Sequence, residues 1–131
     1  MEAGNSITAR THAEFLNTVM GTNYDAWMRC TYPISDDFVM WFIRLDGRES
    51  SMGWTNTLVS QDKIVETYTG DPNKRIDTHK TTDYPKKRAV FNIVNSGGRR
   101  KYIFKGVFKF SFKESNNDKR IWYKVSEQYS F

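Results

Sequence analysis

Lys101, Lys105, Lys109 and Lys113 recur at every fourth position. Residues an even number apart on a β-strand share a face. Such a row of ammonium groups suits contact with phosphates. The even-numbered set between them, Tyr102, Phe104, Gly106, Phe108, Phe110 and Phe112, supplies an aromatic face for a core. After a polar stretch, Glu114 to Asp118, the alternation resumes with Arg120, Trp122 and Lys124 against Ile121, Tyr123 and Val125. Pairing Lys113 with Arg120 sets Phe112 against Ile121, Phe110 against Tyr123, Ser111 against Trp122 and Lys109 against Lys124. In that register the lysines, Arg120, Lys124 and Trp122 share one face, and a slip of one residue would scramble both faces. Like charges directly opposite one another repel, so the surface expects an anionic partner, most economically nucleic acid. Lysines would hold phosphates while Trp122 stacks on a base, worth about 1–3 kcal/mol. A second layer covering Trp122, such as the N-terminal helix, is the structural alternative. Arg99 and Arg100 at the preceding turn extend the track.

Other chemistry is sparsely equipped. Two histidines and one cysteine, widely spaced, do not form the usual zinc sets, and no metal or cofactor is expected. Gly97-Gly98 leads into Arg99-Arg100 and not into a phosphate loop with Lys-Ser/Thr. No G-x-S-x-G nucleophile elbow occurs. Asp36-Asp37 reads as plain surface in preference to a cation site. His79, near Lys80 and Tyr84, is the best candidate for acid–base chemistry, but it lacks a partner set, and no catalytic residue is assigned. Trp41 lies in an apolar run and reads as core. Trp27 and Trp54 flank turns, where they either line a pocket for a flipped base or pack internally.

The elements that would position these residues follow from pattern. Thr11-His12-Ala13-Glu14 is a capping box. Phe15, Leu16, Val19 and Met20 form an apolar stripe and Gly21 is a natural stop, predicting a helix over 12–20. Tyr24–Tyr32 reads as a strand ended by Pro33. Phe38–Leu45 reads as a central strand, Ser51–Leu58 as a returning one, and residues 60–68 as a short helix capped by Ser60. Residues 71–87 are the longest loop candidate. A strand over Arg88–Val94 and a turn at Asn95-Ser96-Gly97-Gly98 lead into the basic hairpin. The expected fold class is α+β: five or six mostly antiparallel strands in a curved sheet or partly open small β-barrel, with one or two short helices.

A chain of 131 residues reads as a single domain over 1–131. No stretch is apolar enough for a membrane span and no signal peptide is visible, so no membrane partner is expected. Lone Cys30 excludes an internal disulfide and suits a reducing, cytoplasmic setting. The net charge of +5 divides unequally: residues 1–71 carry −5 and residues 72–131 carry +10, which concentrates the basic surface in the second part.

The string Lys101-Tyr-Ile-Phe-Lys-Gly-Val-Phe-Lys109, with Arg120-Ile-Trp-Tyr-Lys-Val-Ser126, resembles the terminal hairpin of small β-barrel readers of the PUA, EVE and ASCH kind. The stretches Tyr24–Met28 and Trp41–Gly47 are similar to segments of mobile-element and defence-system proteins. That resemblance implies reading of RNA or modified bases through a concave pocket near a barrel opening. The expected function is non-catalytic binding of DNA or RNA. The alternatives are a phage-type or defence-related inhibitor that binds a protein, and a small metal-independent nuclease using His79. Binding and cleavage assays on labelled DNA and RNA separate the three.

Overall fold

A computed structural model describes residues 1–47, 53–74 and 84–131. Thr11 caps the helix α1 (His12–Met20) by accepting a bond from the Glu14 amide through its hydroxyl, and Gly21 ends it in the left-handed conformation. The Thr11 cap and the Gly21 stop form as the sequence predicts, while the Glu14 carboxylate reaches the Arg10 amide instead of closing the box on Thr11. The strands are β1 (Ser6–Ala9), β2 (Thr31–Pro33), β3 (Phe38–Ile43), β4 (Trp54–Ser60), β5 (Lys63–Tyr68), β6 (Lys87–Ser96), β7 (Arg99–Phe110) and β8 (Lys119–Ser126). They form one sheet in the order β2-β3-β6-β7-β8-β5-β4, with β1 added beside the first part of β7. All pairings are antiparallel except that of β3 with β6. Past its end, the chain after β3 reaches β4 through an Asp46–Thr57 bridge and a Gly47 amide bond to the Asn56 carbonyl. The sheet therefore curls toward a barrel without closing. This is the α+β, curved and mostly antiparallel architecture that the pattern predicts.

Two segments depart from expectation. Residues 60–68 form no helix: β4 and β5 pair as a hairpin around Gln61-Asp62. Ile64, Glu66 and Tyr68 alternate with Val65 and Thr67, a period of two, and β-branched Ile64, Val65 and Thr67 favour a strand. Of Tyr24–Tyr32 only the end is a strand, Thr31–Pro33 pairing with β3.

The sheet has an apolar cluster on each side. Phe15 and Leu16 of α1 cover one face, packing with Met40, Phe42, Ala89, Phe91, Tyr102 and Phe104. The concave face gathers Trp41, Ile43, Ile64, Tyr84, Val90, Phe108, Phe110 and Trp122. Trp41 is core, as expected. Strand β7 serves both faces because it bulges: Val90 pairs with Gly106 but Phe91 pairs with Phe104, leaving Lys105 as the extra residue. Gly106 adopts φ +113°, and a Cβ there would lie 2.7 Å from the Ser126 carbonyl oxygen, so only glycine fits. Beyond the bulge the alternation inverts. Tyr102 and Phe104 face the helix, whereas Phe108 and Phe110 face the concave side.

Candidate functional site

The inversion divides the cationic row. Lys101 lies on the face opposite Tyr102, Lys105 is the bulge itself, and Lys109 lies on the face opposite Phe108. Lys101 and Lys109 thus occupy different sides of the sheet, and the single lysine face expected along β7 does not form. The β7–β8 register also differs by one residue from the predicted one. Phe110 pairs with Trp122, Lys109 with Tyr123 and Phe108 with Lys124. Phe110 and Trp122 therefore share the concave face. The slip turns Arg120, Trp122 and Lys124 inward.

Trp122 is fully buried. Its ring packs 5.1 Å from Trp41 and 5.0 Å from Phe110, and its indole N–H donates to Glu66 Oε1 at 2.9 Å. It is not an exposed stacking platform. Lys124 is largely covered: its ammonium lies 3.3 Å from Glu127 and 4.0 Å from Asp62, above the Phe108 ring. Phe112 and Val125, expected in the core, are 47% and 50% exposed. Arg99, Lys101, Lys109 and Lys113 are exposed, and Arg100 and Lys105 are partly so. Trp27 and Trp54 do not meet. Trp27 packs against Tyr24 and Tyr32 beside the helix-covered cluster, and Trp54 is buried at the opposite edge of the sheet. His79 lies outside the described residues.

What the slip brings together is a polar box inside the curl. Asn56 of β4, Glu66 of β5 and Arg120 of β8 are cross-strand neighbours in one row. In the next row lie Leu58, Ile64, Trp122 and Phe110. Glu66 and Arg88 are the buried charged residues among those described. The Arg88 guanidinium sits 4.4 Å from the Trp122 ring centre, 4.7 Å from Trp41 and 5.6 Å from Tyr84. That of Arg120 lies 3.7 Å from Trp54 and 5.2 Å from Tyr84. Tyr84 in turn stacks on Phe110 at 4.5 Å. Burial pushes the Glu66 carboxyl upward in pKa, while Arg120, Arg88 and the Trp122 indole pull it back. Arginine is favoured here because its planar, weakly hydrated cation stacks on aromatic faces as lysine cannot. The Arg120 Nε and the Asn56 Oδ1 are buried without a hydrogen-bond partner among the described residues.

Charged groups are seldom placed inside a sheet for stability, since burying them is costly unless they are paired. This box offers flat aromatic walls, planar donors and one carboxylate acceptor, the chemistry that recognises the face and edge of a planar heterocycle. Sequence reasoning passed over Glu66 and Arg88. The signal for Glu66 was its place at the inward parity of an alternating, β-branched run. Among the described residues no group of three or more His, Cys, Asp or Glu side chains converges on a metal position, and no helix is long and apolar enough to cross a membrane.

A curved, unclosed and mostly antiparallel sheet with the helix α1 is consistent with a PUA-like fold. The chain belongs to the SRA family: the model of the SET and RING associated domain matches residues 1–131. SRA domains are PUA-like modules that bind modified cytosine in DNA, and this chain is accordingly a nucleic-acid-binding module. Among solved structures it is similar to "The 5-Hydroxymethylcytosine-Specific Restriction Enzyme AbaSI", with a TM-score of 0.74 and 24% identity, over 99% of this chain and 42% of that one. The chain thus spans less than half the length of that protein. No curated protein sequence matches it.

Proposed function

We propose that this module reads a 5-modified cytosine in DNA, receiving the base in the inner box after it has left the duplex stack. The observation that carries this reading is the box itself: Trp54, Tyr84 and Trp122 around Glu66, Arg88 and Arg120, on the concave face of an SRA chain. A base inside a duplex is not accessible to such a site, so extrusion is required, at a cost of a few kcal/mol. Stacking on aromatic rings offsets that cost by about 1–3 kcal/mol. Glu66 accepts a hydrogen bond from the exocyclic amine, the group that distinguishes cytosine from thymine. The similar solved structure is that of an enzyme named for 5-hydroxymethylcytosine, which makes that base a natural first ligand to try.

Phosphate contacts come from exposed and partly exposed cations: Lys113 between β7 and β8, and Arg99, Arg100 and Lys101 just after the β6–β7 turn, with Lys105 and Lys109 reaching a strand only where it wraps the sheet edge. In the free protein Arg120, Trp122 and Lys124 lie inside the curl, apart from the exposed cations. Binding is measured with duplexes identical except for one central cytosine that is unmodified, 5-methylated or 5-hydroxymethylated. A modified duplex binds more tightly, and Glu66→Gln narrows its preference over a duplex with thymine at that position. Equal affinity for all three duplexes overturns the proposal.

A further inference from the structure

Trp54 and Tyr84 present their rings to the same planar group, the Arg120 guanidinium, at 3.7 and 5.2 Å. The shorter distance puts the guanidinium carbon over the Trp54 ring in van der Waals contact, about where a nucleobase on Trp54 would lie. Arg120 is partly buried, and its Nε lacks a hydrogen-bond partner among the described residues. The neighbouring cation is differently placed. Arg88 lies deeper, against Trp41 and Trp122, and is part of the box wall. Arg120 is the second residue of β8, one pair in from the end of its ladder with β5 and close to where the β7–β8 loop leaves the sheet. A flat, removable side chain therefore occupies the position on Trp54 that a flat ligand would need.

We infer that Arg120 is a self-ligand of the base slot, held on Trp54 in the free protein and exchanged for the incoming base. The inference rests on the base-reading proposal and adds how selection is made. Arg120 is the cross-strand partner of Glu66. When its guanidinium leaves, Glu66 loses a cationic neighbour inside a buried site. A base with an exocyclic amine brings a donor to that carboxylate beside the Trp122 indole; a base presenting a carbonyl there sets acceptor against acceptor, the arrangement that penalises a wrong ligand most. The displaced guanidinium, on a long stem at the mouth, is then free to meet the DNA backbone.

A slot open only a tenth of the time weakens apparent affinity about tenfold, and removing the occupant restores it. The test uses a ligand without phosphates, so that loss of a backbone contact cannot mask the gain. Free 5-methyl-2′-deoxycytidine is titrated by tryptophan fluorescence into the wild-type protein, Arg120→Ala and Arg120→Lys. The lysine variant keeps a charge beside Glu66 while removing the planar group, and it decides the matter if the alanine variant fails to fold. Both folded variants are expected to bind the nucleoside several-fold to about tenfold more tightly than wild type. Unchanged or weaker binding in a folded variant overturns the exchange while leaving base reading intact, provided the wild type prefers the modified duplex. A wild type without that preference overturns both.

Discussion

The two faces of the sheet are built from the same strands and are chemically opposite. On the helix side, Phe15, Phe42, Phe91, Tyr102 and Phe104 interlock without a buried charge. On the concave side, rings of similar number surround Arg88, Arg120 and Glu66. Close packing of apolar groups stabilises a fold directly, whereas buried ions at best recover what desolvation costs. The first face holds the sheet in its curve. The second uses that rigidity to hold polar groups among aromatic rings.

The largest effect that can break this contrast is on stability. Phe91→Ala removes a fully buried ring in contact with Phe15, Phe42 and Phe104. It should cost about 3–5 kcal/mol in chemical denaturation. What remains folded should keep any preference for modified DNA. A variant of normal stability that loses the preference would place recognition on the helix side.

Trp122→Phe is the matching change on the concave face and should be smaller. The ring volume is largely kept, but Glu66 loses the indole donor at 2.9 Å. Leaving a buried acceptor short of a partner costs about 1–3 kcal/mol. Because Glu66 then lacks its indole anchor, discrimination of the modified cytosine from thymine should fall by more than overall affinity does. A variant that loses stability and keeps full discrimination would make the Trp122–Glu66 bond a packing device only.

These two rings also show what was legible. The helix was plain because Thr11, Glu14 and Gly21 are local signals, each acting within four residues. The central strand β3 was plain from its apolar run. The concave site was obscured by one residue, Gly106. Period-two alternation runs through Tyr102, Phe104, Gly106, Phe108 and Phe110 without a visible break, and a bulge inverts faces while leaving that pattern intact. A glycine inside an otherwise well-formed strand is the only local mark of such a bulge. The pairing with β8 has its own irregularity, and there a shift of one residue from the expected register puts Trp122 in the core instead of on the surface. The meeting of the β4–β5 hairpin, with Asn56 and Glu66, and Arg120 of β8 joins segments far apart in sequence, so no local spacing announces it.

The helix side has its own test in His12, with an effect that depends on pH. Tyr102 Oη lies 2.6 Å from His12 Nδ1 and an Arg100 nitrogen lies at 3.5 Å. Arginine only donates, so Nδ1 is an acceptor and His12 is neutral, with its proton on Nε2. Burial, then Arg100 and Arg44, lower its pKa to about 4. The unfolded chain takes up a proton near 6.5 while the folded protein does not, so stability should decline as pH falls from about 6.5 toward 4 and level off below. His12→Gln cannot titrate and should flatten that part of the profile. An unchanged slope in denaturation midpoints across this window would show that other groups produce it. The base preference, read at fixed pH on the far side of the sheet, should not change.

The smallest effects belong to the exposed cations, which stand outside both clusters. Lys101 and Lys113 have few neighbours to lose, so replacing either by alanine should leave stability within about 0.5 kcal/mol. If each meets one phosphate, each replacement should reduce the slope of log affinity against log salt by about 0.9 on duplex DNA. Lys109 sharpens the comparison, because the bulge turns it away from the box. Were the lysine row one continuous track, Lys109→Ala would flatten the slope as much as its neighbours do. With the row divided by Gly106, Lys109→Ala should have the weakest effect of the three, and it should reduce affinity for modified and unmodified duplexes alike. Equal changes at all three positions would mean that DNA wraps both faces of β7, and the concave box would then no longer define where the duplex lies.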